Sequence, residues 1–152
     1  MRPYVDLLAA LLTPVIAIVT TYIAIQQYRA NQMKLRHDLY DRRLQLYNAV
    51  AEFWSHVVRE GTADRAQLMT LLQKTRESYF LFGKEISDYI TDLYKKGVDL
   101  EYYEKQLDHA NLPVGGERTR IANQQAELLK WFGHEFDNIQ ALFAKKLSLD
   151  QI

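Results

Sequence analysis

The 152-residue chain has no cysteine, which excludes disulfide bonds and thiolate chemistry and fits a reducing compartment. It has no surplus of positive charge, because 19 Lys and Arg residues balance 19 Asp and Glu residues. Since most nucleic-acid-binding proteins are basic, we expect no nucleic acid among its partners. No catalytic, metal-binding or nucleotide-binding motif stands out either. The sequence therefore predicts a protein that is not an enzyme and needs no cofactor.

Proline and glycine are scarce, and neither occurs between Pro14 and Gly61. Because these residues interrupt helices, we expect one long helix that ends at Gly61. Charge is absent from Leu7 to Ile25. As a helix this stretch is about 28 Å long, close to the roughly 30 Å of a bilayer core. The sequence predicts a transmembrane anchor at residues 1–27, continuous with a soluble helical domain at residues 28–152.

The charges on either side of this span predict its orientation. Only Arg2 is basic before the span. Five basic residues follow it closely: Arg29, Lys34, Arg36, Arg42 and Arg43. The positive-inside rule then places the N-terminus outside and the C-terminal domain in the cytoplasm. A cleaved signal peptide is the alternative, but the apolar run is longer than a typical signal core, and residues 26–28 do not form a small-residue cleavage site.

Helical periodicity continues through the rest of the chain. A second helix is expected at about 63–82, capped by Thr62 or Asp64, a third from Lys84 to about His109, and a last one at about 117–145. Gly97 marks either a break or a close helix contact, and we expect the contact. The expected core positions are Leu35, Leu39, Leu46, Val50, Phe53 and Val57; Leu68, Leu72, Thr75, Tyr79 and Phe82; Ile86, Ile90, Leu93, Gly97 and Leu100; and Ile121, Leu128, Phe132, Phe136, Ile139 and Phe143.

No run of alternating apolar and polar residues predicts a strand. The expected fold class is all-α: an N-terminal transmembrane helix continuous with an antiparallel four-helix cytoplasmic bundle.

Small or weakly polar side chains recur along the span at steps of three and four residues. They are Ala10, Thr13, Ala17, Thr20 and Ala24. Such a stripe lets helix backbones approach closely in lipid, where no hydrophobic force drives helices together. It predicts a homo-oligomer interface, with chance as the alternative because Ala and Thr are common in membrane helices.

Two further patterns suggest ligand chemistry. Gly115 and Gly116 open the last helix beside Arg118 and Arg120, which suits a phosphate or carboxylate, although an ordinary interhelical turn has the same composition. Glu52 and His56 lie one turn apart, as two metal ligands can, but the further ligands of a dimetal bundle are missing, and we expect a solvated pair and no metal.

Several segments resemble a loose group of small bacterial proteins that have one N-terminal membrane anchor and a helical cytoplasmic domain. The segments are Gln26-Gln27-Tyr28, Leu35 to Arg43 with Tyr47, and Phe80 to Ile86. This resemblance covers nearly the whole chain and implies a bacterial inner membrane. It implies no activity, because the shared motifs are packing signatures.

Three functions remain open from the sequence. The first is a non-enzymatic, membrane-anchored module that acts by self-association or by binding a cytoplasmic protein, with the lipid bilayer as its other partner. The second is a membrane-perturbing effector or small channel in a stress or phage-defence pathway. The third is a ligand sensor with a pocket in the bundle.

Overall fold

The computed structural model describes the backbone of residues 2–108 and 115–147, and the side chains of the same residues except 2–11 and 13. Its elements are α1 (Arg2–Glu60), α2 (Arg65–Thr75), α3 (Ser78–Phe82), α4 (Lys84–Asp108), α5 (Gly116–His134) and α6 (Phe136–Leu147). The described residues contain no strand, so the all-α class is confirmed. The expected helix count is wrong, because the second and the last predicted helix are each divided in two.

The long first helix is confirmed. α1 continues through Pro14 to Glu60. Gly61 ends it with a φ of 72°, and its amide donates to the carbonyl oxygen of Val57 at 2.8 Å. This left-handed conformation is the one glycine adopts most readily after a helix. The chain forms two compact units, Met1–Leu39 and Tyr40–Ile152, and α1 contributes to both.

No helix in the described part of the chain is long and apolar enough to cross a membrane. The transmembrane anchor expected at residues 1–27 is therefore not supported by these residues. Part of the expected span, residues 7–11 and 13, has side chains outside the described set.

The second predicted helix is two helices. Asp64 caps α2 as expected, since its carboxylate accepts a hydrogen bond from the Gln67 amide at 2.8 Å. A turn at residues 76–77 then separates α2 from α3, and the buried face differs from the expected one. Leu71 is buried in place of Leu72, while Tyr79 is exposed. Leu71 and Leu72 both precede the turn, and the buried row of α2 steps from Leu68 by three residues where the prediction stepped by four. The turn then changes the angular register of α3, and Tyr79 lies on an exposed side.

The last predicted helix is interrupted at Glu135. The Glu135 amide donates to the Phe132 carbonyl oxygen three residues back, at 3.3 Å, which tightens the chain and ends α5. The Trp54 indole Nε1 also donates to this oxygen, at 2.7 Å. After the break, Phe136 is partly exposed and stacks on the Trp54 ring at 4.9 Å, so the prediction that Phe136 is buried is wrong.

The core of the second unit is built by all six helices. Its buried side chains are Leu46, Val50, Phe53 and Val57 from α1; Ala63 from the connection to α2; Leu68 and Leu71 from α2; Phe82 from α3; Ile86, Ile90, Leu93 and Leu100 from α4; Phe132 from α5; and Ile139 and Phe143 from α6. Most of the expected core positions are thus confirmed. Leu35 and Leu39 are the exceptions on α1, because they belong to the first unit and are exposed.

Candidate functional site

The first unit presents large apolar side chains that are exposed. Every described side chain from residue 14 to residue 39 is exposed. Leu12 is 60% exposed and Ile18 is 69% exposed. The large exposed residues up to Ile25 are Leu12, Val15, Ile16, Ile18, Val19, Tyr22, Ile23 and Ile25. We call the apolar stretch from Leu12 to Ile25 the apolar segment of α1.

The expected oligomer interface lies on this segment. Ala17, Thr20 and Ala24 are exposed, as an interface needs, whereas the side chains of Ala10 and Thr13 lie outside the described residues. The Thr20 hydroxyl donates to the carbonyl oxygens of Ile16 at 2.9 Å and Ala17 at 3.0 Å. Thr21 donates in the same way to Ala17, at 2.8 Å. The threonine hydroxyls are therefore satisfied within the helix itself.

The expected anion site lies at the start of α5. Gly115 is the N-cap, and its carbonyl oxygen accepts from the Thr119 amide at 3.2 Å. Arg118 and Arg120 are two residues apart on a helix, and such side chains do not face one another. Arg120 lies 3.8 Å from the Glu117 carboxylate and 3.4 Å from Gln124 Oε1. The anion site at Gly115, Gly116, Arg118 and Arg120 stays a prediction.

A cleft of about 380 Å³ lies between α1 and α2 within the second unit. Two polar contacts join its walls. Lys74 Nζ lies 3.0 Å from the Glu52 carboxylate, and Gln67 Nε2 lies 2.6 Å from His56 Nε2. The sequence singled out Glu52 and His56 as neighbours on one helix, but it did not show that both meet α2. We call this site the α1/α2 cleft.

The α1/α2 cleft has an apolar floor, and one of its lining residues, Gln67, carries a buried unpaired atom. Ala49, Phe53 and Leu71 line it and are buried in the core. Gln67 Oε1 is inaccessible to solvent and has no hydrogen-bond partner among the described residues. Buried polar atoms are normally paired with protein or with water, and this oxygen is an exception among the described residues.

A second polar site lies between α4 and α6. Glu135 is only 8% exposed, and Asn138 Nδ2 donates to its carboxylate at 3.4 Å. Tyr89 and Glu85 line the same cleft. The Tyr89 hydroxyl is buried without a hydrogen-bond partner among the described residues. Burial, with the negative charge of Glu135 as the next cause, raises the pKa of Tyr89 well above its usual range.

Within the described residues, no three His, Asp or Glu side chains group together in a way that could hold a metal ion.

In comparisons with protein-family models, with curated proteins and with solved structures, nothing matches this chain.

Proposed function

We propose that this protein is a non-enzymatic helical module that acts by association, with the apolar segment of α1 as its attachment to a membrane. The observation that carries the proposal is the exposure of this segment. Burying a large apolar side chain is worth about 1.5–3 kcal/mol, and each of these eight side chains is only partly covered by its own helix. Their burial in lipid or against other copies would contribute on the order of 10 kcal/mol.

Lipid explains the distribution of these side chains better than one protein partner does. Ile16 and Ile18 are two residues apart and point to different sides of the helix, and both are exposed. A helix that is apolar all round is typically buried on every side, as in a bilayer. One partner helix would cover a single stripe. The self-satisfied hydroxyls of Thr20 and Thr21 also suit a medium without water.

Length and charge support the same attachment. The uncharged run from Leu7 to Ile25 would be about 28 Å long as a helix, close to the thickness of a bilayer core. The basic residues that follow it favour a cytoplasmic second unit. With the resemblance noted above, this gives a single-pass protein of a bacterial inner membrane with its N-terminus outside.

Self-association is the second part of the proposal. Ala17, Thr20 and Ala24 form an exposed stripe of small side chains between larger ones, which permits close backbone approach between copies in lipid. The exposed aromatic residues Tyr79 and Phe80 on α3 offer a separate surface for a cytoplasmic protein partner, because Phe80 is 85% exposed.

Flotation of the full chain with phospholipid vesicles tests the attachment. The double variant Ile16→Lys and Val19→Lys places two charges in the apolar segment, and each costs about 2.5–3.5 kcal/mol near a bilayer centre. We expect this double variant to be absent from the floating vesicle fraction. The matched control is Met33→Lys and Leu35→Lys, two exposed positions outside the segment, which should float as the wild type does. Equal flotation of both double variants would contradict membrane attachment by this segment.

A further inference from the structure

We propose that the face of α1 formed by Tyr28, Gln32, Leu35 and Leu39 pairs with the same face of a second, parallel copy of this chain. We call this face the stalk seam. It belongs to the first unit and lies outside the apolar segment of α1, so flotation with vesicles does not depend on it. The inference rests on the self-association proposed above and extends that interface from lipid into water.

The stalk seam has the spacing of a helix–helix interface. Its residues follow one another at steps of four, three and four, which keeps them on one face of a helix and is the step pattern of a coiled coil. Tyr28 is 66% exposed and Leu35 is 57% exposed, so the face is accessible. Ala24 precedes Tyr28 by four residues, and Ala17 precedes Ala24 by seven. The seam therefore continues the small stripe proposed to associate in lipid.

The part of α1 that carries the seam is exposed on all sides. Every described side chain from residue 26 to residue 39 is exposed, whereas packing supplies most of the stability of helices in proteins. Pairing along the seam would bury Leu35 and Leu39. The seam covers only about two heptads, fewer than the three or four that are typical of a coiled coil. It therefore forms between copies that the membrane already holds at high effective concentration.

The side chains that flank the seam select a parallel copy. Asn31 and Asp38 lie on one flank, and Arg29 and Arg36 lie on the other. In a parallel pair each flank faces the opposite flank of the second copy, so the guanidinium groups meet an amide and a carboxylate. In an antiparallel pair like flanks meet, and arginine would face arginine. The charges are therefore complementary only in the parallel arrangement.

Gln32 sets the register of the two copies. It is a polar residue between the apolar seam positions Tyr28 and Leu35, and it is exposed. When the copies are in register, the two Gln32 amide groups can hydrogen-bond to one another, because each carries donors and an acceptor. A displaced register would set this amide against an apolar side chain and leave it unpaired. A single polar residue in such a row fixes the register of coiled coils in the same way.

Disulfide cross-linking of the full chain in native membranes tests the proposal, because the chain has no cysteine of its own. Leu35→Cys and Leu39→Cys, made as separate variants, each place a thiol group opposite its counterpart, and mild oxidation should link two copies. Met33→Cys is the matched control, since Met33 is 62% exposed but points to a different side of the helix. A disulfide needs Cα atoms within about 7 Å, so we expect Leu35→Cys to form linked dimers at least about tenfold faster than Met33→Cys.

Two substitutions at Asn31, each added to Leu35→Cys, test the orientation. In a parallel pair the Asn31 side chain lies nearest Arg36 of the second copy. Asn31→Glu should therefore speed the cross-linking and Asn31→Lys should slow it, each by about twofold at low salt.

The proposal is overturned if neither Leu35→Cys nor Leu39→Cys gives a linked dimer, or if Met33→Cys forms dimers as fast as Leu35→Cys. It is also overturned if both substitutions at Asn31 change the rate in the same direction. The mass of the wild-type particle released from membranes then shows whether the proposed function fails as well. A particle of two or more chains leaves the association in lipid in place, whereas a particle of one chain removes both.

Discussion

Gly97 of α4 lies so close to Phe53 of α1 that a Cβ atom at position 97 would come within 2.8 Å of the ring atom Cζ. It would come equally close to Leu68 Cδ2 of α2. Three helices therefore meet at a point where only a hydrogen atom fits. The close contact expected from the sequence is confirmed, and it explains a glycine inside a long helix.

Gly97→Ala should destabilise the second unit. Alanine gains about 1 kcal/mol in helix propensity, but overpacking a core typically costs about 1–3 kcal/mol. We expect a net loss of about 1 kcal/mol in the free energy of unfolding, measured by urea denaturation. Gly133→Ala in α5 is the matched control, because nothing lies within 4 Å of its added Cβ. It should be neutral or stabilising. A Gly97→Ala variant as stable as Gly133→Ala would contradict the close contact.

Arg43 is expected to stabilise the fold, although it interrupts an apolar face in the sequence. Its Nε donates to the Leu81 carbonyl oxygen at 3.0 Å and its Nη1 to that of Lys146 at 3.1 Å. Arg43→Met removes both bonds and should lower the free energy of unfolding by about 1–3 kcal/mol. The midpoint of urea unfolding measures this change.

The neighbouring Arg42 provides the control for Arg43. Its side chain is exposed and makes a 3.6 Å ion pair with Glu77. Exposed pairs contribute little, so Arg42→Met should change stability by less than about 0.5 kcal/mol. Equal effects of the two substitutions would show that Arg43 does not hold the ends of α3 and α6.

Tyr89 should make the fold sensitive to alkaline pH. Its pKa is raised in the folded chain, so the unfolded chain loses the hydroxyl proton first, near the ordinary value of about 10. Stability is therefore full below about pH 10 and falls as the pH rises further. Tyr89→Phe removes this contribution and should flatten the decline, measured by urea unfolding between pH 9 and pH 11.5.

At neutral pH, Tyr89→Phe should cost little, because the hydroxyl that it removes has no hydrogen-bond partner among the described residues. Tyr102→Phe is the control, since Tyr102 is exposed. The stability of this variant should decline with rising pH as that of the wild type does. If the stability of Tyr89→Phe also declines as that of the wild type does, the folded chain does not hold the Tyr89 hydroxyl proton more tightly than the unfolded chain.

Much of the fold could be predicted because helical periodicity and glycine positions act locally. The buried row of α4 and the end of α1 at Gly61 follow directly from these signals. The break at residues 76–77 has no Gly or Pro to mark it, and Gly133, two residues before the break at Glu135, was not interpreted as a helix end. The Phe132 carbonyl oxygen at this break also accepts a hydrogen bond from Trp54, which is distant in sequence and could not be predicted locally.

The candidate sites were less predictable, because their contacts join residues that are distant in sequence. The i, i+4 spacing of Glu52 and His56 was visible, but their partners Lys74 and Gln67 come from another helix. Nothing local in the sequence places Tyr89 in the same cleft as Glu135. The apolar segment of α1 was the easiest to find, because its signal is composition alone.

The protein mass of the particle released from native membranes tests the association most directly, and native mass spectrometry measures it after the detergent is removed. We expect the mass of two or more chains, each of 17.8 kDa, for the wild type and for the control double variant Ile16→Leu and Ile23→Leu. Ala17→Leu and Ala24→Leu fill the small stripe and should shift the mass toward one copy, since leucine prevents close backbone approach. A wild-type particle of 17.8 kDa, or equal masses for the two double variants, would contradict association through this face.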